Sequence, residues 1–203
     1  MVSVLIVDLD GVLRHWGAEL ATQTEQRHGL ALGSIHAAAF DPGLLRPALT
    51  GHVSDEEWRA RIAQRLSVEH GVDATGAVAE WSRPCGRVDS EVLHLLRRQR
   101  QQRRVAVLTN ATTRLHADLA LLGLDSEVDA VFSSAELGVA KPDPEVFRRT
   151  CASLGVAPAG CAFVDDSPEN VHAAVALGMS GHLYRTAHDL SVFLDGLPSA
   201  SAC

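Results

Sequence analysis

No stretch of this 203-residue sequence approaches the ~18 continuous apolar residues that a membrane-crossing helix needs. The N-terminus has no basic segment, and its apolar run goes straight into Asp8, so neither a secretory leader nor a membrane partner is expected. The four cysteines, Cys85, Cys151, Cys161 and Cys203, form no C-x-x-C pair and match no zinc spacing. Ordinary thiols in a cytoplasmic chain are the expectation. The ten histidines are scattered, without an H-E-x-x-H, and none is assigned a catalytic role. Positive charge is also short: 18 basic residues face 25 acidic ones, for a net charge of −7. That argues against nucleic acid as a partner, because counterion release needs clustered cations. A small anionic substrate stays open, since one site can be locally positive. There are no internal repeats and no low-complexity segment.

What is present is enough to bury a real core, in one large domain or one domain with a smaller insert. The composition, 46% hydrophobic and 21% charged, is that of an ordinary globular chain. Its organising stretch lies at the start. Residues 4–7 are an unbroken apolar run that ends in Asp8-Leu9-Asp10-Gly11. Such a run reads as a strand buried on both faces of a parallel sheet. Gly11 lets the chain turn at once. The two acids therefore stand at the carboxyl end of a central strand, where ligands bind in open α/β sheets. Two carboxylates there repel each other unless something positive joins them, and a divalent cation is the natural candidate.

After Leu13 the strand pattern stops. Helices are expected over 19–28, 30–40, 55–69 and 74–81, with turns at Asp41-Pro42-Gly43, Thr50-Gly51 and Gly71. Ser54 and Glu57 form a capping-box signature. This block, 14–84, reads as a helical insert whose small core holds Trp16, Trp58 and Trp81. From 85 onward strands and helices alternate. Buried strands are expected over 105–108, 130–132 and 161–164, with a weak fifth over 182–184. Asp143-Pro144 and Ser167-Pro168 are N-cap and first-turn pairs that open helices. The basic run Arg97, Arg98, Arg100, Arg103 and Arg104 reads as a solvated face. The fold class is α/β: a Rossmann-like doubly wound parallel sheet over 1–13 and 85–197, the helical insert placed after the first strand, and a disordered tail over 198–203.

Four polar clusters share one placement. Asp8/Asp10, Thr109/Asn110 and Asp165/Asp166 each follow a buried strand, and Lys141 opens a loop before a helix. Each alone reads equally well as a turn or a cap. Together they can converge on one edge of the sheet.

In that order, Asp8-Leu9-Asp10-Gly11-Val12, Thr109-Asn110, Lys141-Pro142-Asp143 and Asp165-Asp166-Ser167-Pro168-Glu169-Asn170 resemble the haloacid dehalogenase-like hydrolases. The resemblance runs from Ser3 to about Tyr184, and the helical insert is similar to the small cap of that family's first subclass. It implies a Mg²⁺-dependent phosphatase acting on a small phosphorylated metabolite. Asp8 would be the nucleophile and Asp10 the general acid and base. Thr109, Asn110 and Lys141 would contact the phosphoryl group, with Lys141 neutralising charge. The metal would be held by the Asp8 carboxylate, the Asp10 carbonyl and Asp166, with Asp165 close by and Asn170 behind it. A phosphosugar mutase with the same core, or a non-catalytic binding module of the same fold, are the alternatives. Carbon–halogen cleavage fits less well, because family members with that activity generally lack the second Asp. For the leaving group, Arg14, His15, Trp16, Arg46 and His52 of the cap are candidate contacts.

Overall fold

The computed structural model describes residues 1–17 and 19–198. The chain opens with β1 (Val4–Val7), turns through Gly11, and makes a two-residue strand, β2 (Arg14–His15). Five helices follow: α1 (Leu20–His28), α2 (Ser34–Ala39), α3 (Pro42–Leu49), α4 (Asp55–His70) and α5 (Thr75–Ser82). Then come β3 (Arg87–Val88), α6 (Ser90–Arg100), β4 (Arg104–Thr109), α7 (Leu115–Leu122) and β5 (Ala130–Ser133). The chain continues through α8 (Ser134–Leu137), α9 (Pro144–Leu154), β6 (Cys161–Asp165), α10 (Pro168–Ala176), β7 (Ser180–Leu183) and α11 (Ala187–Asp195).

Five strands form one parallel sheet in the order β5-β4-β1-β6-β7. β1 is central, so both its faces must be apolar. Leu5 and Val7 pack with Val92, Leu96, Leu119 and Leu190 from α6, α7 and α11. Val4 and Ile6 point the other way, to Phe147, Leu154, Phe163 and Ala174 on α9, β6 and α10. Phe147 and Phe163 are fully buried and meet edge to face at 5.1 Å. Each such side chain contributes about 1.5–3 kcal/mol through burial. Val7 is level with Val107 of β4 and with Val164 of β6. That register places Asp8, Thr109 and Asp165 together at the carboxyl edge.

The helices between β2 and β3 share an apolar cluster of their own, including Ile35, Ile62, Leu66, Ala77 and Val78. Trp58 and Trp81 pack against it, edge to face at 6.1 Å. Trp16 does not join them. It is 48% exposed and sits beside Asp10, which corrects its expected place in that core.

Other local expectations change for identifiable reasons. The strand pattern does not end at Leu13: β2 pairs antiparallel with β3, so the two connections to the helical block form one ribbon. The expected helix over 30–40 begins only at Ser34. The buried Glu25 carboxylate accepts the N–H groups of Gly33 and Ile35, both at 2.8 Å, and so fixes where α2 starts. Asp41-Pro42-Gly43, read as a turn, opens α3, with the Asp41 side chain accepting from Gly43 N–H at 2.9 Å. Helices α8 and α11 were not expected, and the fifth strand lies at Ser180–Leu183, earlier than expected. The arginine run is not simply solvated: Arg97, Arg98 and Arg100 pair with Glu127, Asp195 and Asp129, and Arg103 is buried. Of the tail expected to be disordered, residues 199–203 lie outside the described residues.

Candidate active site

Asp8 follows β1 directly, and its main-chain N–H bonds Val164 of β6 at 2.8 Å. Its side chain is almost wholly buried. Oδ1 accepts from Leu9 N–H at 2.7 Å and lies 2.8 Å from Lys141 Nζ. Oδ2 has no such partner among the described residues. Burial drives the Asp8 carboxyl upward, Lys141 pulls it back, and Asp165 and Asp10 push it further, leaving it raised from 3.8 to about 7.

Lys141 is the only lysine in the sequence. Its ammonium is buried and reaches Asp165 Oδ2 at 2.6 Å as well as Asp8. Burial alone would lower its pKa, but the two carboxylates outweigh that and raise it. The loop carrying Lys141 is fixed by Asn110. The Asn110 amide donates to Lys141 O at 2.9 Å and accepts from Lys141 N–H at 2.8 Å. Asn110 thus serves the lysine's main chain first, with one amide N–H uncommitted. Thr109 is buried at the end of β4.

Asp165 ends β6 and is fully buried. Its Oδ1 accepts from Ser167 N–H at 2.8 Å, and the Asn170 amide lies 3.0 and 3.1 Å from its two oxygens. Asp166 is the freer of the pair. Burial and then the neighbouring Asp165 charge raise its pKa. Gly11 explains how Asp166 comes so near the first motif. A Cβ on Gly11 would stand 2.0 Å from Asp166 Oδ2, and the residue's φ of 83° is one that glycine adopts without strain.

Asp10 is set apart from this group. Its carboxylate turns to Arg14 and Trp16 of the β2 segment, with Arg14 Nε and Trp16 Nε1 both donating to Oδ1 at 2.7 Å. As a metal ligand, then, it has its carbonyl to offer, while its carboxylate is engaged elsewhere. Among the other cap candidates, His15 pairs with Asp89 at 3.1 Å and His52 with Thr50 at 2.8 Å, while Arg46 is exposed.

Oxygen atoms of Asp8, Asp165 and Asp166 all lie within 4.8 Å of one another. With all three carboxyls ionised, the one ammonium among them leaves an excess of two negative charges. An all-oxygen, anionic set suits a hard divalent cation such as Mg²⁺. Asp118 is not among the residues the sequence points to, and Arg14 is there a candidate contact for the leaving group, not the partner of Asp10 that the structure shows. The one signal was that an acid beside a strand end needs a partner, and Arg14 stands four residues beyond Asp10.

A family model for haloacid dehalogenase-like hydrolases matches residues 2–178. The chain is 27% identical to validoxylamine A 7'-phosphate phosphatase of Streptomyces hygroscopicus subsp. limoneus over 93% of its own length and 88% of that protein's. It is 38% identical to flavin mononucleotide hydrolase 1 of Arabidopsis thaliana over 37% of its own length, a match that spans 31% of the plant protein. In fold it is similar to a HAD family enzyme of Bacteroides thetaiotaomicron solved with magnesium and inorganic phosphate. That likeness has a TM-score of 0.76 and 22% identity, covering 91% of this chain and 95% of the other. No helix among the described residues is long and apolar enough to cross a membrane.

Proposed function

The chain belongs to the haloacid dehalogenase-like hydrolases, and on that footing we propose that it is a Mg²⁺-dependent phosphatase cleaving a small phosphomonoester through an aspartyl-phosphate on Asp8. The observation that carries this reading is the different setting of two carboxylates at one strand end. Asp8 faces Lys141 and the acidic cluster, while Asp10 faces Arg14 and Trp16. Carboxylates in different environments take different roles.

In the first step Asp8 Oδ2 attacks phosphorus as the ester P–O bond breaks. The leaving oxygen takes a proton from Asp10. In the second, water gives a proton to Asp10 and attacks the aspartyl-phosphate, freeing Asp8 and inorganic phosphate. Lys141 balances the negative charge that gathers around Asp8, and Thr109 and the free N–H of Asn110 are the donors proposed for the phosphoryl oxygens. The groups that would hold Mg²⁺ are the carboxylates of Asp8 and Asp166 and the carbonyl of Asp10, and the ion would supply positive charge to the phosphoryl oxygens. Asp165, its oxygens already taken by Lys141, Ser167 and Asn170, serves to orient the lysine. Carbon–halogen cleavage has no use for a proton donor at Asp10. The substrate on this reading is a small phosphorylated metabolite, and relatives named as a phosphatase and as a mononucleotide hydrolase support it.

The test is phosphate release from a panel of phosphorylated metabolites, with Mg²⁺ and with EDTA. Metal-dependent release concentrated on one compound class, lost in Asp8→Asn, is expected. Release that survives Asp8→Asn removes the assignment of the nucleophile. No release from any compound by a protein that binds Mg²⁺ turns the reading to a mutase or a binding module.

A further inference from the structure

Asp10 is held more firmly than a free proton carrier needs to be. Arg14 Nε and Trp16 Nε1 each donate to Oδ1 at 2.7 Å, and the second Arg14 nitrogen donates to Oδ2 at 2.9 Å. A carboxylate oxygen has two in-plane lone pairs. Both on Oδ1 are taken, and one on Oδ2 is free.

The clamp is itself fixed. Arg14 is only 4% exposed, although it carries a full charge. Its remaining nitrogen reaches Asp118 Oδ2 on α7 at 3.2 Å and the Cys85 carbonyl at 3.5 Å. A Cβ on Gly86 would come within 2.8 Å of Arg14 Cγ, so the chain just before β3 lies against the arginine stem. The Trp16 ring lies under the guanidinium, 4.6 Å from its centroid to Cζ. A planar fork bound on every nitrogen and stacked on an aromatic face has little freedom to turn. Asp10 itself stays partly open to solvent, with its side chain 35% exposed.

We infer that Arg14 and Trp16 are positioning residues for Asp10, holding it so that the free lone pair of Oδ2 is the one place from which a proton passes to the leaving oxygen. This rests on the phosphatase reading above and deepens it. An acid aimed this way matters most when the departing alcohol is a poor leaving group. The clamp therefore points to phosphate esters of aliphatic alcohols as the substrate class. Esters of acidic phenols, whose anions depart unprotonated, gain little from it.

The experiment compares kcat/KM for an alkyl phosphate taken from the active compounds with that for 2,4-dinitrophenyl phosphate, in wild type, Arg14→Lys, Trp16→Phe and Asp10→Asn. Arg14→Lys keeps the charge and removes the fork. Trp16→Phe keeps the ring and removes the N–H, at a half-exposed position where folding is not at stake. The alkyl-to-dinitrophenyl ratio should fall in both, by roughly 10- to 100-fold for Arg14→Lys and less for Trp16→Phe, in the direction set by Asp10→Asn. A ratio equal to that of wild type in Trp16→Phe and in a folded Arg14→Lys overturns the inference, even if both rates drop together, because a merely structural role lowers both substrates alike. If Arg14→Lys does not fold, Trp16→Phe decides alone. Failure of the phosphatase reading looks different: the wild type then releases phosphate from neither ester, whereas turnover that persists in Asp8→Asn removes only the nucleophile assignment.

Discussion

The ammonium of Lys141 lies 2.8 Å from Asp8 Oδ1 and 2.6 Å from Asp165 Oδ2, in a place where all three side chains are nearly or wholly closed to water. Removing one member of a buried ion cluster leaves the others unpaired. Lys141→Met is thus expected to lower stability by about 3–5 kcal/mol. It should also lower kcat by roughly 10²- to 10³-fold, because no other cation contacts Asp8 among the described residues. Urea denaturation and turnover on the same preparation check this. A variant as stable as wild type would mean that the cluster is solvated in solution.

The same burial gives the metal-free protein a definite pH dependence. The Asp8 pKa is raised from 3.8 to about 7 on folding. A carboxyl raised in this way contributes stability that is complete below its unfolded pKa, and it loses that contribution as pH rises through the folded value. The metal-free protein should therefore weaken as pH rises from about 4 to about 7 and level off above that. A cation bound at the cluster needs the carboxylate, so Mg²⁺ displaces the proton and its stabilising effect should grow over that interval. Thermal melts with and without Mg²⁺ at pH 5.5 and pH 8 measure both trends. A Mg²⁺ shift of equal size at the two values would show that Asp8 is ionised throughout.

What could be read in advance was what is local in the chain. The apolar run of β1 implies a strand covered on both faces, and Leu5 and Ile6 do face opposite layers. Asp143-Pro144 and Ser54 with Glu57 carry their own start signals, and α9 and α4 begin where those stand. What stayed hidden depends on partners distant in sequence. Strands β2 and β3 are two residues each and exist only by pairing across the whole helical block. The start of α2 is set by a carboxylate on α1. Trp16, taken for a core residue, is drawn out by Asp10, and no periodicity reports that. Pro42 after Asp41 opens either a turn or a helix, and packing decided for the helix. At the edge of the sheet, the convergence of Asp8 with Asp165 and Asp166 follows from the register, whereas the hold of Asn110 on the Lys141 loop and the turning of Asp10 away from the cluster do not.

Glu25 offers a test of the helical block alone. Its buried carboxylate holds the first N–H groups of α2 and lies far from the acidic cluster in the chain. Glu25→Ala leaves those donors without partners, at about 1–3 kcal/mol. Amide hydrogen exchange should then quicken across α2 while β1 and β4 keep their protection. Equal loss of protection in the sheet would mean that the two layers unfold as one unit.

Gly11 separates geometry from stability. At φ 83° with Asp166 Oδ2 only 2.0 Å from where a Cβ would stand, an alanine meets two problems at once. The backbone strain is about 1–3 kcal/mol. The collision is with the tip of a side chain, so Asp166 gives way and swings off the cluster. Gly123→Ala is the matched control, since φ there is 67° but nothing lies within 4 Å of the new methyl group. Both variants should lose stability to a similar degree. Only Gly11→Ala should need more Mg²⁺, by roughly 10-fold or more in the concentration giving half-maximal phosphate release, as expected when a ligand is displaced. If the two variants differ from wild type only in stability, Asp166 is not a metal ligand, and the approach of Gly11 to it is packing alone.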